Sequence, residues 1–341
     1  MISIEALEKQ LKDNKLNSMY LLYGEETFLL ETCLKKIKHI FGELVKGINY
    51  IEIDDTNFSE LIQDLETPAF GFNKKLIVVK NVGLFKREVK KKGATFAETR
   101  ELLEKYIKEN KDIIKESVIL VFIEESVDKI KLLNTVEEFG AVVCNFEYQK
   151  PAQIIARLKG ICKAYNVNVE ESTLKYLIEG SLTGMQDLIN EIRKQIEYAG
   201  SGGTITKESI DLLAVKQIDS VIFDLTDNLG KKNIKEALII LNNLIYAKEP
   251  LQKILITLYN HFKKIYIVKL AMEQNRNVTE ALNLKPNQTF LVNKYRGQSN
   301  FFSKDELKSI LDELIKLDSN YKVGLIDLKV GLESILCRYC S

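Results

Sequence analysis

Tryptophan is absent from the 341 residues, proline occurs four times and histidine twice. Scarce proline removes the main obstacle to helix formation, and a chain so poor in histidine has little material for a histidine-based metal or acid–base centre. The five cysteines, Cys33, Cys144, Cys162, Cys337 and Cys340, are odd in number and scattered, which does not suit a disulfide framework. Cys337-Arg338-Tyr339-Cys340 has the C-x-x-C form, but no second pair and no following βαβ unit accompany it, so these read as helix-end thiols. No stretch approaches the ~18 apolar residues of a membrane span. Residues 1–8 also lack a basic region followed by an apolar run, so a cytoplasmic protein with no membrane partner is expected. Neither sign of charge dominates, with 49 Lys+Arg against 48 Asp+Glu. That balance excludes a protein that holds DNA through a globally basic surface, while leaving a local basic face open.

What the chain does contain is 45% hydrophobic and 28% charged residues, the composition of a globular protein. Its first ~145 residues alternate short apolar runs with helical spacing. Strands are expected at 19–23, 49–53, 75–79, 118–123 and 141–144, with helices at 27–41, 58–65, 98–109 and 132–139 between them. Near-continuous apolar strands separated by helices predict a parallel sheet covered on both faces. After Pro151 the pattern changes and no strand is expected. Helices are predicted over 154–165, 171–178 and 185–198, with a further helical start at Thr206-x-x-Ser209 and helix throughout from Asp219. Breaks are expected at 230–233, 248–250, 285–286 and 297–300. The fold class is therefore α/β plus all-α. Three domains are expected: an α/β domain over 1–148, a small helical domain over 149–213 and a larger helical domain over 214–341.

That outline is also the outline of an ATPase, so phosphate chemistry is the first test. A P-loop, G-x-x-x-x-G-K-[ST], places backbone amides, a lysine and a hydroxyl around phosphates and Mg²⁺. The first strand is instead followed by Gly24-Glu25-Glu26-Thr27, with no lysine and two carboxylates where phosphate would arrive. Gly42 and Gly47 have the glycine spacing but follow no strand. Lys80-Asn81 stands where an acid pair would follow the third strand, and Glu124-Glu125 after the fourth reads as a solvated strand end. His39 and His261 are isolated, and no catalytic triad or H-E-x-x-H motif is present. No catalytic residues, cofactor or metal are therefore expected.

Two motifs carry more information. Tyr20-Leu21-Leu22-Tyr23-Gly24-Glu25-Glu26-x-Phe28-Leu29 is followed by Pro68-Ala69-Phe70-Gly71, which precedes Lys74-Lys75-Leu76-Ile77-Val78-Val79-Lys80-Asn81. With Val127-Asp128-Lys129, Leu317-Asp318-Ser319-Asn320-Tyr321-Lys322-Val323-Gly324 and Leu332-Glu333, this succession resembles the delta subunit of the bacterial DNA polymerase III clamp loader over almost the whole chain. The sibling subunits fit less well, because their four-cysteine zinc module and Ser-Arg-Cys motif have no counterpart here.

The resemblance implies a degenerate AAA+ module, a helical lid and a C-terminal helical collar domain. It further implies a non-ATPase that binds the sliding clamp (the beta subunit) and opens, or holds open, the ring interface. Its implied partners are the other clamp-loader subunits (delta prime and gamma/tau), met through the collar, and primed DNA within the assembly. The clamp-binding element maps to Pro68, Ala69, Phe70, Gly71 and Phe72. Ala69 stands where a larger apolar residue is common, and Phe72 is expected to supply a second aromatic. An exposed aromatic on a loop suits insertion into an apolar pocket.

The segment 74–92 contains Lys74, Lys75, Lys80, Lys86, Arg87, Lys90, Lys91 and Lys92 against the single acid Glu88. It suits a solvated face, or a contact with DNA phosphates through Lys86, Arg87, Lys90, Lys91 and Lys92. A helical nucleic-acid-binding adaptor using this segment is the alternative reading of the chain.

Overall fold

Strand formation follows the apolar runs. In the computed structural model, which describes all residues except 88–93, 182–183, 214–217, 285–287, 289–290 and 341, the chain divides into two compact units, 1–148 and 149–341. The first unit contains β1 (Met19–Tyr23), β2 (Tyr50–Ile53), β3 (Lys75–Lys80), β4 (Val118–Glu124) and β5 (Val142–Asn145). All neighbours pair in parallel in the order β2-β3-β4-β1-β5, with Leu21 opposite Phe122 and Val143, and Lys75 opposite Val118.

Parallel pairing requires crossovers, and helices supply them. After α1 (Ile4–Lys12), which precedes β1, they are α2 (Thr27–Phe41), α3 (Leu61–Glu66, after a 3₁₀ turn at Phe58–Glu60), α4 (Ala94–Glu109), α5 (Lys111–Ser117) and α6 (Lys131–Phe139). Successive strand residues point to opposite faces. Leu21, Ile77, Val79, Leu120, Phe122 and Val143 form one core cluster with Leu61, Phe96, Leu103, Leu132 and Val136 of α3, α4 and α6. The alternate residues Tyr20, Leu22, Leu76, Val78 and Val121 are buried too. On that face Glu52 and Lys80 meet Lys38 and Glu31 of α2 at 3.2 and 4.0 Å. Both faces are covered, which is why the strands carry almost no polar alternation. This is the parallel α/β architecture, covered on both faces, expected from the sequence. Two helices were not anticipated: α1 before the first strand, and the short α5 leading into β4.

The second unit is helical: α7 (Pro151–Ala164), α8 (Glu171–Ser181), α9 (Met185–Ala199), α10 (Lys207–Leu213), α11 (Ile218–Gly230), α12 (Ile234–Tyr246), α13 (Leu251–Glu273), α14 (Val278–Leu282), α15 (Leu291–Ser299), α16 (Lys304–Lys322) and α17 (Leu328–Cys340). Local chemistry fixes several starts. Ser303 and Glu306 form a reciprocal capping box at α16, and Thr206 and Ser209 exchange bonds at the start of α10. The expectation of no strand after Pro151 is corrected by a parallel pair, β6 (Asn168–Val169) with β7 (Thr204–Ile205). Two residues per strand leave no periodicity to read. The break expected at 297–300 is also misplaced, since α15 runs through Gly297 and Gln298 to Ser299. The break expected at 285–286 and the expected boundary between 213 and 214 both involve residues outside the described ones.

One core cluster joins α11 through α17, from Ile218 to Leu336. At its centre His261 is buried in an edge-on contact with Phe223, and its Nε2 lies 2.7 Å from Gln298 Oε1. The amide of Gln298 donates to Phe223 O and Asp227 Oδ1, so its oxygen accepts from the imidazole N–H. Burial pushes the imidazole down to about 3. His261 is therefore a neutral core residue.

Candidate protein-docking site

The segment between α3 and β3 projects from the α/β unit. Thr67 ends α3 in an extended conformation, and Pro68 prevents the helix from resuming. Phe72 N–H then donates to Ala69 O at 2.9 Å, while Gly71 sits at φ +81°. A four-residue turn with a left-handed glycine at its third position is type II, where a Cβ would be strained. The second position, the apex, is Phe70. Its side chain is 72% exposed, although phenylalanine is among the residues most often buried. Pro68 and Gly71 are exposed, and Ala69 and Phe72 are half-buried.

Clefts lie on either side of the turn. One, of about 500 Å³, is lined by Leu65, Pro68, Ala69, Phe72, Tyr106 and Ile113 among others. The other, of about 480 Å³, is lined by Leu16, Phe41, Phe72, Asn73 and Ile119 among others. Phe72 thus forms the foot of the turn between two clefts, and of the two aromatics it is Phe70 that is presented. Ala69 lines the first cleft, where a larger side chain would fill part of the space. Ile113 of α5, 54% exposed on the same cleft, is an apolar surface residue that the sequence did not single out.

The basic segment does not form one face. Lys75 is only 2% exposed, and its Nζ donates to the carbonyls of Asp64 and Thr67. Burial lowers its pKa, with the nearby Asp64 carboxylate acting in the opposite direction. This corrects its inclusion in a solvated or DNA-facing run. Parity on β3 could not signal this, because Leu76 and Val78 on the other face are as buried as Ile77 and Val79 beside Lys75. Lys74 Nζ donates to Lys115 O at 3.0 Å, Lys80 lies 4.0 Å from both Glu31 and Glu52, and Lys86 lies 3.6 Å from Glu125. Arg87 is exposed, with its backbone N–H bonded to Asp128 at 2.7 Å and its guanidinium 3.4 Å from Lys129 O. Lys90, Lys91 and Lys92 lie outside the described residues.

At the opposite, C-terminal edge of the sheet, Glu124 overturns a second expectation. It is 3% exposed, and its carboxylate accepts from Gly83 N–H (2.9 and 3.1 Å) and Leu84 N–H (3.0 Å). Rather than ending a strand in solvent, it pins the 81–87 loop. Arg100 of α4 completes the arrangement, donating to Lys86 O at 2.8 Å and stacking 5.0 Å from Phe96. The positive shift that Glu124 imparts partly offsets the effect of burial on this guanidinium. Glu125 is exposed. Glu124 lies on the same side as Leu120 and Phe122, but β4 is buried on both faces, so its parity alone gave no signal.

The β1–α2 connection, where a phosphate loop would lie, is three residues long. Gly24 has φ +127°, and a Cβ there would sit 2.5 Å from Phe146 O. Its amide donates to Glu124 O at 3.2 Å and that of Glu26 to Phe146 O at 2.8 Å, so two donors are already engaged within the fold. The Glu26 side chain is buried at the start of α2, the helix end that favours an anion. Among the described residues no group of three or more His, Cys, Asp or Glu is arranged to hold a metal. Nor, among those residues, is any helix long and apolar enough to cross a membrane.

A five-stranded parallel α/β module, with an aromatic turn at one edge and a helical unit following it in the chain, defines the class. Family comparison specifies it further. Residues 20–147 match the model of the DNA polymerase III delta subunit, and residues 219–339 match the model of that subunit's C-terminal domain. The chain belongs to the DNA polymerase III delta subunit family. A probable DNA polymerase III subunit delta of Aquifex aeolicus is 27% identical over 317 residues, covering 91% of this chain and 87% of the relative. The DNA polymerase III subunit delta of Bacillus subtilis is 24% identical over 334 residues, with 97% and 95% coverage. The solved structure of the Bacillus subtilis DNA clamp loader delta protein superposes with a TM-score of 0.77 at 23% identity, covering 99% of each chain. That last likeness speaks to the fold.

Proposed function

We propose that this chain acts in DNA replication as a clamp-loader subunit. It binds the DNA polymerase III sliding clamp and opens the ring, or holds it open, for loading onto primed DNA. Family membership supports the replication role. The observation that carries the clamp-binding step is Phe70, 72% exposed at the apex of a glycine-closed turn. A lone presented aromatic is the kind of anchor that dominates protein interfaces. Pro68, Ala69, Gly71 and Phe72 shape its setting.

Catalysis belongs to other subunits in this reading. The short Gly24–Glu26 connection, with its amides bonded to Glu124 and Phe146, supports a non-ATPase role. The working division is an AAA+-like domain over 1–148, a lid over 149–213 and a collar over 214–341. The collar is the surface that would meet delta prime and gamma/tau, in the cytoplasm. DNA phosphates are a further proposed contact of Lys86, Arg87, Lys90, Lys91 and Lys92. The internal partners of Lys74, Lys75 and Lys80 do not favour the adaptor alternative, which needs those charges free.

The test is a titration of the full chain against the sliding clamp of the same organism. Wild type is expected to bind at micromolar concentration or tighter. Phe70→Ala is expected to lose about 2–4 kcal/mol, roughly 30- to 1,000-fold in Kd. No binding by wild type, or equal binding by both proteins, would refute the reading.

A further inference from the structure

Residues 68–74 form a loop whose two ends are joined by one side chain. Lys75, the first residue of β3, reaches back through its ammonium to the carbonyl of Thr67, the last residue before the loop, and to that of Asp64 in α3. The carbonyl end of a helix favours a cation, so the last turn of α3 is a suitable acceptor. Within this closed base, the bond from Phe72 N–H to Ala69 O shapes the turn and Phe70 stands at its apex.

The choice of lysine here is not explained by packing. Lys75 is among the largest fully buried side chains, and its position on β3 faces the same side as Ile77 and Val79. A methionine would fill similar volume without taking a charge out of water, which is unfavourable unless hydrogen bonds compensate. What methionine lacks is the means to hold two carbonyls. A loop ordered before it meets a partner loses less freedom on binding than one that must order at that moment.

We propose that Lys75 is a positioning residue for docking: its ammonium closes the base of the 68–74 loop and so holds Phe70 in the orientation that engages the clamp. The inference rests on the clamp-binding reading of Phe70. It also predicts a property of the free protein that does not depend on any partner. Because the effect passes through Phe70, it disappears when Phe70 is absent.

The experiment compares wild type, Lys75→Met, Lys75→Arg, Phe70→Ala and the Phe70→Ala/Lys75→Met double variant. Clamp titration is combined with amide hydrogen exchange of the free chain. Lys75→Met is expected to weaken clamp binding about tenfold in the wild-type background, the scale of a lost pre-ordering contribution, and not at all further in the Phe70→Ala background. The Phe72 amide should lose protection in Lys75→Met and keep it in Lys75→Arg, which also restores most of the affinity. If Lys75→Met does not fold, Lys75→Gln, which keeps one donor, takes its place in the same cycle. Equal losses in both Phe70 backgrounds would reduce Lys75 to a general stability role and overturn the proposal. So would unchanged protection at Phe72. If wild type itself fails to bind the clamp, the functional reading falls, while the exchange data still decide whether Lys75 holds the loop.

Discussion

Replacing Glu124 with alanine separates the two readings of this residue. A solvated carboxylate at a strand end is worth little, and its removal would change stability by less than about 0.5 kcal/mol. The buried carboxylate instead accepts from two backbone amides, Gly83 and Leu84, which are themselves buried. Each amide left without a partner costs about 1–3 kcal/mol. Arg100 would in addition lose the nearby charge that helps keep its half-buried guanidinium favourable. The expected loss for Glu124→Ala is therefore about 3–5 kcal/mol, in the range for breaking a buried charged network. In a unit of 1–148 that size of loss lowers the unfolding temperature by roughly 10 °C. Glu124→Gln keeps an acceptor at one oxygen and should lose only about 1–2 kcal/mol, the value of charge assistance. Thermal unfolding followed by circular dichroism, with a hydrogen-exchange readout at residues 81–87, measures both variants. A drop below ~2 °C for Glu124→Ala would show that the loop does not depend on the carboxylate and would refute the reasoning.

Phe70→Ala should barely affect stability despite its large effect on docking. With 72% of the residue already exposed, only about a quarter of the usual ~3–5 kcal/mol for a core Phe→Ala change is at stake, roughly 1 kcal/mol. A fall of more than ~6 °C in melting temperature would mean that the ring packs inward. Gly71→Ala places a Cβ at φ +81°, which costs about 1–2 kcal/mol in turn geometry; clamp affinity should fall with the far-UV spectrum unchanged, and intact affinity would show the turn to be dispensable. His261 gives the helical unit an acid-sensitive stability. Unfolded, the imidazole takes up a proton below about 6.5, whereas folded it does so only near 3. Stability is thus fully present above pH 6.5 and declines toward pH 3, by up to ~1.4 kcal/mol per unit. Urea unfolding of wild type and His261→Gln across this range checks it, and identical pH slopes would contradict the buried neutral state.

Much of the fold was legible in one dimension because the signals are local and redundant. Runs such as Val118–Ile123 contain enough β-branched and apolar residues to declare a doubly covered parallel strand, and Pro151 marks the start of α7. The Pro68-Ala69-Phe70-Gly71 turn was legible for a similar reason. Proline stops a helix, glycine accepts a left-handed conformation, and both are local effects. The β6–β7 pair was not legible, since two-residue strands are created by the partner they meet.

The sequence by itself determined the five-stranded α/β region, the change to helix after Pro151 and the aromatic turn before the third strand. Each of these depends on the spacing or identity of neighbours along the chain. Only the tertiary structure decided which charges are surface charges. Lys75 and Glu124 are ordinary ionic residues in the sequence, with Lys74 and Glu125 beside them. Lys75 and Glu124 are the terminal residues of β3 and β4 and their neighbours lie just outside, so one member of each pair enters the core, where its value depends on carbonyls and amides brought by other segments. The exposure of Phe70 was decided in the same way: its surroundings, two clefts and a base closed by Lys75, come from α2, α3, α4, α5, β4 and the segment before β1 together, and no local pattern specifies them.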